Sequence, residues 1–103
     1  MDIDIMNSKF NGYIASLKKT IEVAHGCKPW HSKTVFVFEV SGGKNVFKGD
    51  VEIFSLVGHP EAKKCYAWSY ECEMGVTRFA TMLQLPPVRS AKDAVRIFTI
   101  SRA

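Results

Sequence analysis

The chain reads as a two-layer α+β domain: a four-stranded antiparallel meander with one helix before it and one after, in the order αββββα. Three observations predict this. Apolar residues recur at three- and four-residue steps from Met6 to Ala24, the period of an amphipathic helix. Four β-rich runs follow in two pairs, each joined by a short glycine-containing turn,. A second helical stripe, Ala91, Ala94, Val95 and Phe98, closes the chain. Short connections set sequential strands side by side. Both helices are expected on one face of the sheet, with the other face left outside.

The first helix is expected over residues 6–25, with Asn7 or Ser8 as cap and Gly26 as stop,. Residues 1–5 are expected to form a disordered tail before a single domain. Pro29 excludes a helix from the connector that follows, and Trp30 is placed as a lid on the core. Val35–Val40 and residues 45–57 read as a hairpin closed by Gly42-Gly43, where both glycines accept positive φ. That turn predicts Phe38 opposite Phe47 and Phe36 opposite Gly49, on the core face. Gly58-His59-Pro60-Glu61 breaks the chain. A second hairpin, residues 64–72 and 76–85, is read around Met74-Gly75. It predicts Glu71 facing Arg78, with Tyr70 by Phe79 and Tyr66 by Leu83. Ser90 caps the last helix, with Asp93 at its third position.

Tyr66-Ala67-Trp68-Ser69-Tyr70 alternates large rings with small residues, the period-two pattern of a strand. Pointing outward, the rings would be a stacking platform; pointing inward, they would be core. Fully burying such a side chain is worth about 1.5–3 kcal/mol. Burying an ion pair in their place carries a desolvation penalty of several kcal/mol per ion. The rings are therefore assigned to the core. Their hydroxyl and indole groups then need partners, at the sheet rim or in a pocket beneath the helices.

The composition of the 103 residues, 47% hydrophobic and 23% charged, is that of an ordinary globular domain. No apolar run approaches a membrane span. The acidic opening Met1-Asp2-Ile3-Asp4 argues against a secretory leader. Three cysteines without repeated spacing point to free thiols and a cytoplasmic setting,. The net charge of +4 is compatible with a polyanion partner without requiring one,.

Chemistry-bearing motifs are sparse. His25, Cys27 and His31 are metal-type ligands with Cys65 or Cys72 as candidate fourth, but neither cysteine pair has the usual two-residue spacing, so neither metal nor cofactor is expected. His59 with Cys65 is the minimal base–nucleophile arrangement; a turn histidine and a packed cysteine explain both residues as well, and no catalytic residue is assigned. The stretch His31–Lys44 resembles the first hairpin of double-stranded-RNA-binding domains. That family has three strands and a basic cluster opening its last helix. Here a fourth strand is expected and the last helix opens Ser90-Ala91-Lys92-Asp93, so membership is not assigned.

The reading is a non-catalytic binding or protein-interaction module, a homodimer through the outer sheet face or the edge strands. An RNA-binding module using Lys18, Lys19, Lys63, Lys64, Arg89, Lys92 and Arg96 is the first alternative. A small-ligand pocket lined by Trp30, Tyr66, Trp68 and Tyr70, between sheet and helices, is the second.

Overall fold

Ile14, Leu17 and Ile21 line one side of the first helix and are buried there, as their spacing requires. This helix, α1, spans Ile3–His25. Gly26 ends it at φ +63°, and its N–H donates to the Glu22 carbonyl at 2.9 Å. Glycine adopts this left-handed cap without strain. The computed structural model describes residues 3–102, the side chains of residues 3–8, 41, 44–46 and 102 excepted. Ile3–Ile5, expected in a tail, are helical; Met1 and Asp2 lie outside the described residues.

Four strands follow: β1 (Lys28–Ser41), β2 (Lys44–Val57), β3 (Lys64–Glu71) and β4 (Thr77–Leu83). They form one antiparallel sheet in the order β1-β2-β3-β4. The closing helix, α2, spans Ala91–Arg102. Ser90 Oγ accepts the Asp93 N–H at 3.1 Å. Asp93 Oδ2 in turn accepts the N–H of Arg89, the residue before the cap, at 3.1 Å. The order αββββα is that expected, and the α+β class with it. Among the described residues no helix is long and apolar enough to cross a membrane.

The helices do not share a face. Ala91, Ala94 and Val95 of α2 pack with Val37, Val51, Ile53, Tyr66 and Trp68. Ile14, Leu17 and Ile21 of α1 pack with Cys27, Phe54, Cys65 and Ala67. Chain neighbours Ile53 and Phe54 enter different clusters, as do Cys65 and Tyr66. Neighbouring strand residues point to opposite faces, so the sheet lies between the two helices. The expectation of one helical layer and one outer face is corrected accordingly. The physical reason is visible in two runs, Val51–Phe54 and Cys65–Trp68, each buried at all four positions. A strand covered on both sides has no solvated alternate positions. In β3 the small Cys65 and Ala67 face α1, and the large Tyr66 and Trp68 face α2.

Both hairpin registers differ from expectation by one residue. In the middle of the first hairpin Phe38 faces Lys48, Phe36 faces Asp50 and Glu39 faces Phe47. One irregularity, between Glu39 and Val40, causes this, and a second, between His31 and Lys33, returns the strands to the register of the turn. One extra residue reverses every side chain beyond it. Val35, Val37 and Glu39 therefore face α2, and Phe36 and Phe38 face the α1 side. In the second hairpin the connection is longer than Met74-Gly75. Cys72 N–H donates to the Val76 carbonyl at 2.7 Å around a turn at Glu73–Gly75. Tyr70 therefore faces Arg78, Trp68 faces Ala80 and Tyr66 faces Met82. Phe79 and Leu83 pack on the α1 side, near Tyr13. The expected Glu71–Arg78, Tyr70–Phe79 and Tyr66–Leu83 pairs are not formed.

Ile53 faces Tyr66, so the ring row shares the face of Val51 and Ile53. Trp68 is 1% exposed and Tyr66 is buried. The rings are core, although their neighbours are not the ones expected.

Candidate functional site

Beneath α2 the rings of the aromatic row meet their neighbours edge to face. Trp68 meets Phe98 edge-on with centroids 5.4 Å apart, and Phe47 at 6.2 Å. Tyr70 meets Phe98 at 5.2 Å. Such edge-to-face pairs add to area burial. The Tyr66 hydroxyl accepts from Gln84 Nε2 at 2.8 Å, which satisfies the buried phenol. Burial raises the Tyr66 pKa above its ordinary value, with the Gln84 bond opposing that rise. Trp30 is elsewhere: it is 60% exposed, with Lys18 Nζ 5.9 Å from its ring centroid. The structure does not bring Trp30 together with Tyr66, Trp68 and Tyr70. On that side Ala91, Ala94 and Val95 of α2 pack with Tyr66 and Trp68.

The seven basic positions are divided as well. Lys18 and Lys19 belong to α1, on one side of the sheet. Lys92 and Arg96 belong to α2, on the other, with Arg89 just before it. Lys63 and Lys64 lie where β3 begins. Arg96 is engaged: its Nε donates to Glu39 Oε2 at 3.1 Å. The Glu39 bond and charge hold the Arg96 guanidinium above its ordinary value.

The residues considered for metal or catalysis have separate partners. His25 Nε2 lies 2.9 Å from Thr81 Oγ1. Burial, then the nearby His59 charge, lowers the His25 pKa. Cys27 is buried under α1. His59 Nδ1 accepts the Glu61 and Ala62 N–H groups at 3.0 and 2.8 Å, so it ties its own turn. The Cys65 Sγ is buried and lies 3.6 Å from the Tyr66 carbonyl. Burial pushes its thiol up to about 12. A nucleophilic cysteine needs the thiolate, so the His59–Cys65 arrangement offers none near neutrality.

Two further features remain, and only the second, a free sheet edge, was expected from the sequence. The first is a buried polar centre. Glu52 is 2% exposed, and its Oε1 receives the Thr34 hydroxyl and lies 2.7 Å from His31 Nε2. The His31 ring sits between Phe10 and Phe54 at centroid distances of 5.8 and 5.4 Å. The irregularity at Ser32 puts His31 and Thr34 on one face, so both reach Glu52. Beside this centre β2 and β3 part: toward the first hairpin their pairing ends at Glu52, opposite Ala67, among the described residues. A groove of about 360 Å³ opens there, lined by Phe10, Tyr13, Lys48, Asp50, Glu52 and Ser69. Tyr13 donates across it to Ser69 at 3.2 Å.

The second feature is the β1 edge. β1 is outermost in the sheet along its 14 residues. Beyond Glu52, β2 pairs with β1 alone among the described residues, so the hairpin projects as an arm. Phe36 and Phe38, 59% and 48% exposed, stand on the α1 side of that arm. No protein-family model, curated protein or solved structure matches this chain.

Proposed function

We propose that this protein is a non-catalytic interaction module that receives an extended strand along the edge of β1. One observation carries the reading: a 14-residue edge strand that presents Phe36 and Phe38 to solvent. An edge strand offers a row of backbone donors and acceptors that templates another strand. Natural edges are blunted by charge, proline or short length. Here Pro29, Ser32 and Lys33 interrupt the first part of β1, and Thr34–Val40 carries Glu39 as its one charge. Main-chain bonds would supply affinity, and the two rings would choose the side chains that flank them. The outer sheet face drops out of this reading, because α1 occupies it.

The test is selection from a displayed library of random peptides, followed by amide chemical-shift mapping of enriched peptides. Shifts are expected on Lys33–Val40 and are expected to vanish in Phe36→Asp. Binding that leaves β1 unperturbed would overturn the reading.

A second reading follows from the groove. The small-ligand site moves from beneath α2 to the fork of β2 and β3, where Asp50 and Glu52 meet the Phe10 and Tyr13 rings. Thermal shift against a panel of aromatic amines checks it. Stabilisation that disappears in Tyr13→Ala supports this site, and a flat panel argues against it.

A further inference from the structure

We infer that the strand received by β1 is β1 of a second copy, antiparallel and centred on Phe36; this rests on the reading of β1 as a pairing edge. β1 and β2 keep one register from Lys33, opposite Ile53, to Glu39, opposite Phe47. An irregularity bounds that stretch at each end, and each bends the arm and interrupts regular pairing. Phe36 is its midpoint.

A two-fold axis normal to the sheet keeps every residue on its own face, so only residues that share a face can meet across it. Centring on Phe36 then sets Lys33 opposite Glu39 of the second copy, and Glu39 opposite its Lys33. Both side chains belong to the α2 face, since their β2 partners Ile53 and Phe47 do. Lys33 is exposed, and Glu39 already holds Arg96 at 3.1 Å. A lysine from the second copy adds a further cation to that carboxylate. On the same face Val35 meets Val37. On the α1 face Phe36 meets Phe36, and Phe38 stands opposite Thr34. Rings exposed in one copy thus form one continuous strip in two.

Neighbouring registers lose this complementarity. Centring on Val37 sets Lys33 against Ser41 and Glu39 against Val35. Centring on Val35 sets Glu39 against His31, across the Ser32 irregularity. The edge is therefore charge-complementary to itself in one register, and a second copy is the occupant that fits it.

The experiment is sedimentation equilibrium of the full chain, with cross-linking of Phe36→Cys in a Cys72→Ser background. A dimer joined by a disulfide between the two introduced thiols is expected, and so is slow amide exchange along Lys33–Glu39. Lys33→Glu, at an exposed position, places like charges opposite each other twice and is expected to weaken the dimer about tenfold. Phe36→Asp, also exposed, is expected to give a monomer with unchanged circular dichroism. A chain monomeric at about 100 μM, a concentration typical of weak specific pairing, overturns the second copy and leaves β1 open to a different strand. A dimer that cross-links elsewhere on β1 overturns the register. A dimer whose β1 amides exchange as in the monomer overturns the pairing edge itself.

Discussion

His31 Nε2 lies 2.7 Å from Oε1 of Glu52, a carboxylate 2% exposed in the middle of the sheet. The same oxygen takes the Thr34 hydroxyl. Removing one partner of a buried pair costs about 3–5 kcal/mol, because the other charge stays behind. His31 keeps a quarter of its side chain in solvent, which brings His31→Leu below that range, to about 2–3 kcal/mol. His31→Leu with Glu52→Leu is expected to cost less than the two singles combined. Urea unfolding of the four proteins measures the coupling. Values that add within about 0.3 kcal/mol would show that the pair is not energetically linked.

Trp68 carries the second prediction. Its ring is held by Phe47 and Phe98 on the α2 side. Truncation to alanine empties that site and is expected to cost about 3–5 kcal/mol. A milder readout leaves the fold intact. In Trp30→Phe the remaining indole is Trp68, and iodide is expected to leave its fluorescence almost unquenched. In Trp68→Phe, if folded, the exposed Trp30 is expected to quench strongly. Strong quenching of Trp68 would place the ring row at the surface.

Element order was legible because helical and strand periods are local properties. Register was not. The shifts at Ser32 and Val46 depend on how two strands meet, and a bulge carries no obligatory residue. Burial of Tyr66 and Trp68 followed from their size, although the expected neighbours Phe79 and Leu83 face α1. The runs Val51–Phe54 and Cys65–Trp68 held the missed signal. Four consecutive residues without an obligatory solvent position speak for coverage on both faces. Glu52 interrupts the first run as a charge, and so it reads from sequence as solvated. Its partnership with His31 appears only once the Ser32 irregularity is known.

Near neutrality the pH dependence of stability has a source in His25. Burial, then the His59 charge, lowers its folded pKa below the ordinary value of about 6.5,. The unfolded chain therefore binds this proton at a pH where the folded one does not. Stability rises with pH wherever the unfolded state binds more protons. The His25 contribution is thus complete above about 6.5 and is lost as pH falls from there toward the folded value. The effect is modest, since His25 is only part-buried and solvent still screens it. His25→Gln keeps a partner for Thr81 and removes the titration. It is expected to flatten the urea midpoint between neutral and mildly acidic pH. An unchanged slope would assign the acid sensitivity to other groups.

The turn between β3 and β4 supplies the last prediction, because its two central residues share a left-handed backbone that suits only the glycine. Met74 has φ +65° and Gly75 has φ +73°. Left-handed backbone brings an L-residue's Cβ against its carbonyl and costs about 1–2 kcal/mol, and glycine escapes this. Met74 is almost wholly exposed, so no packing offsets its strain. Met74→Gly is expected to raise stability by about 0.5 kcal/mol, the relief being partly cancelled by greater freedom in the unfolded chain. Gly75→Ala is expected to lower it by about 1 kcal/mol, although a Cβ there meets no atom within 4 Å. The cost is conformational and not steric crowding by neighbours. Thermal unfolding of both variants checks the pair of signs. A stabilising Gly75→Ala would mean that the turn relaxes to another conformation, and the one-residue offset of β4 would relax with it.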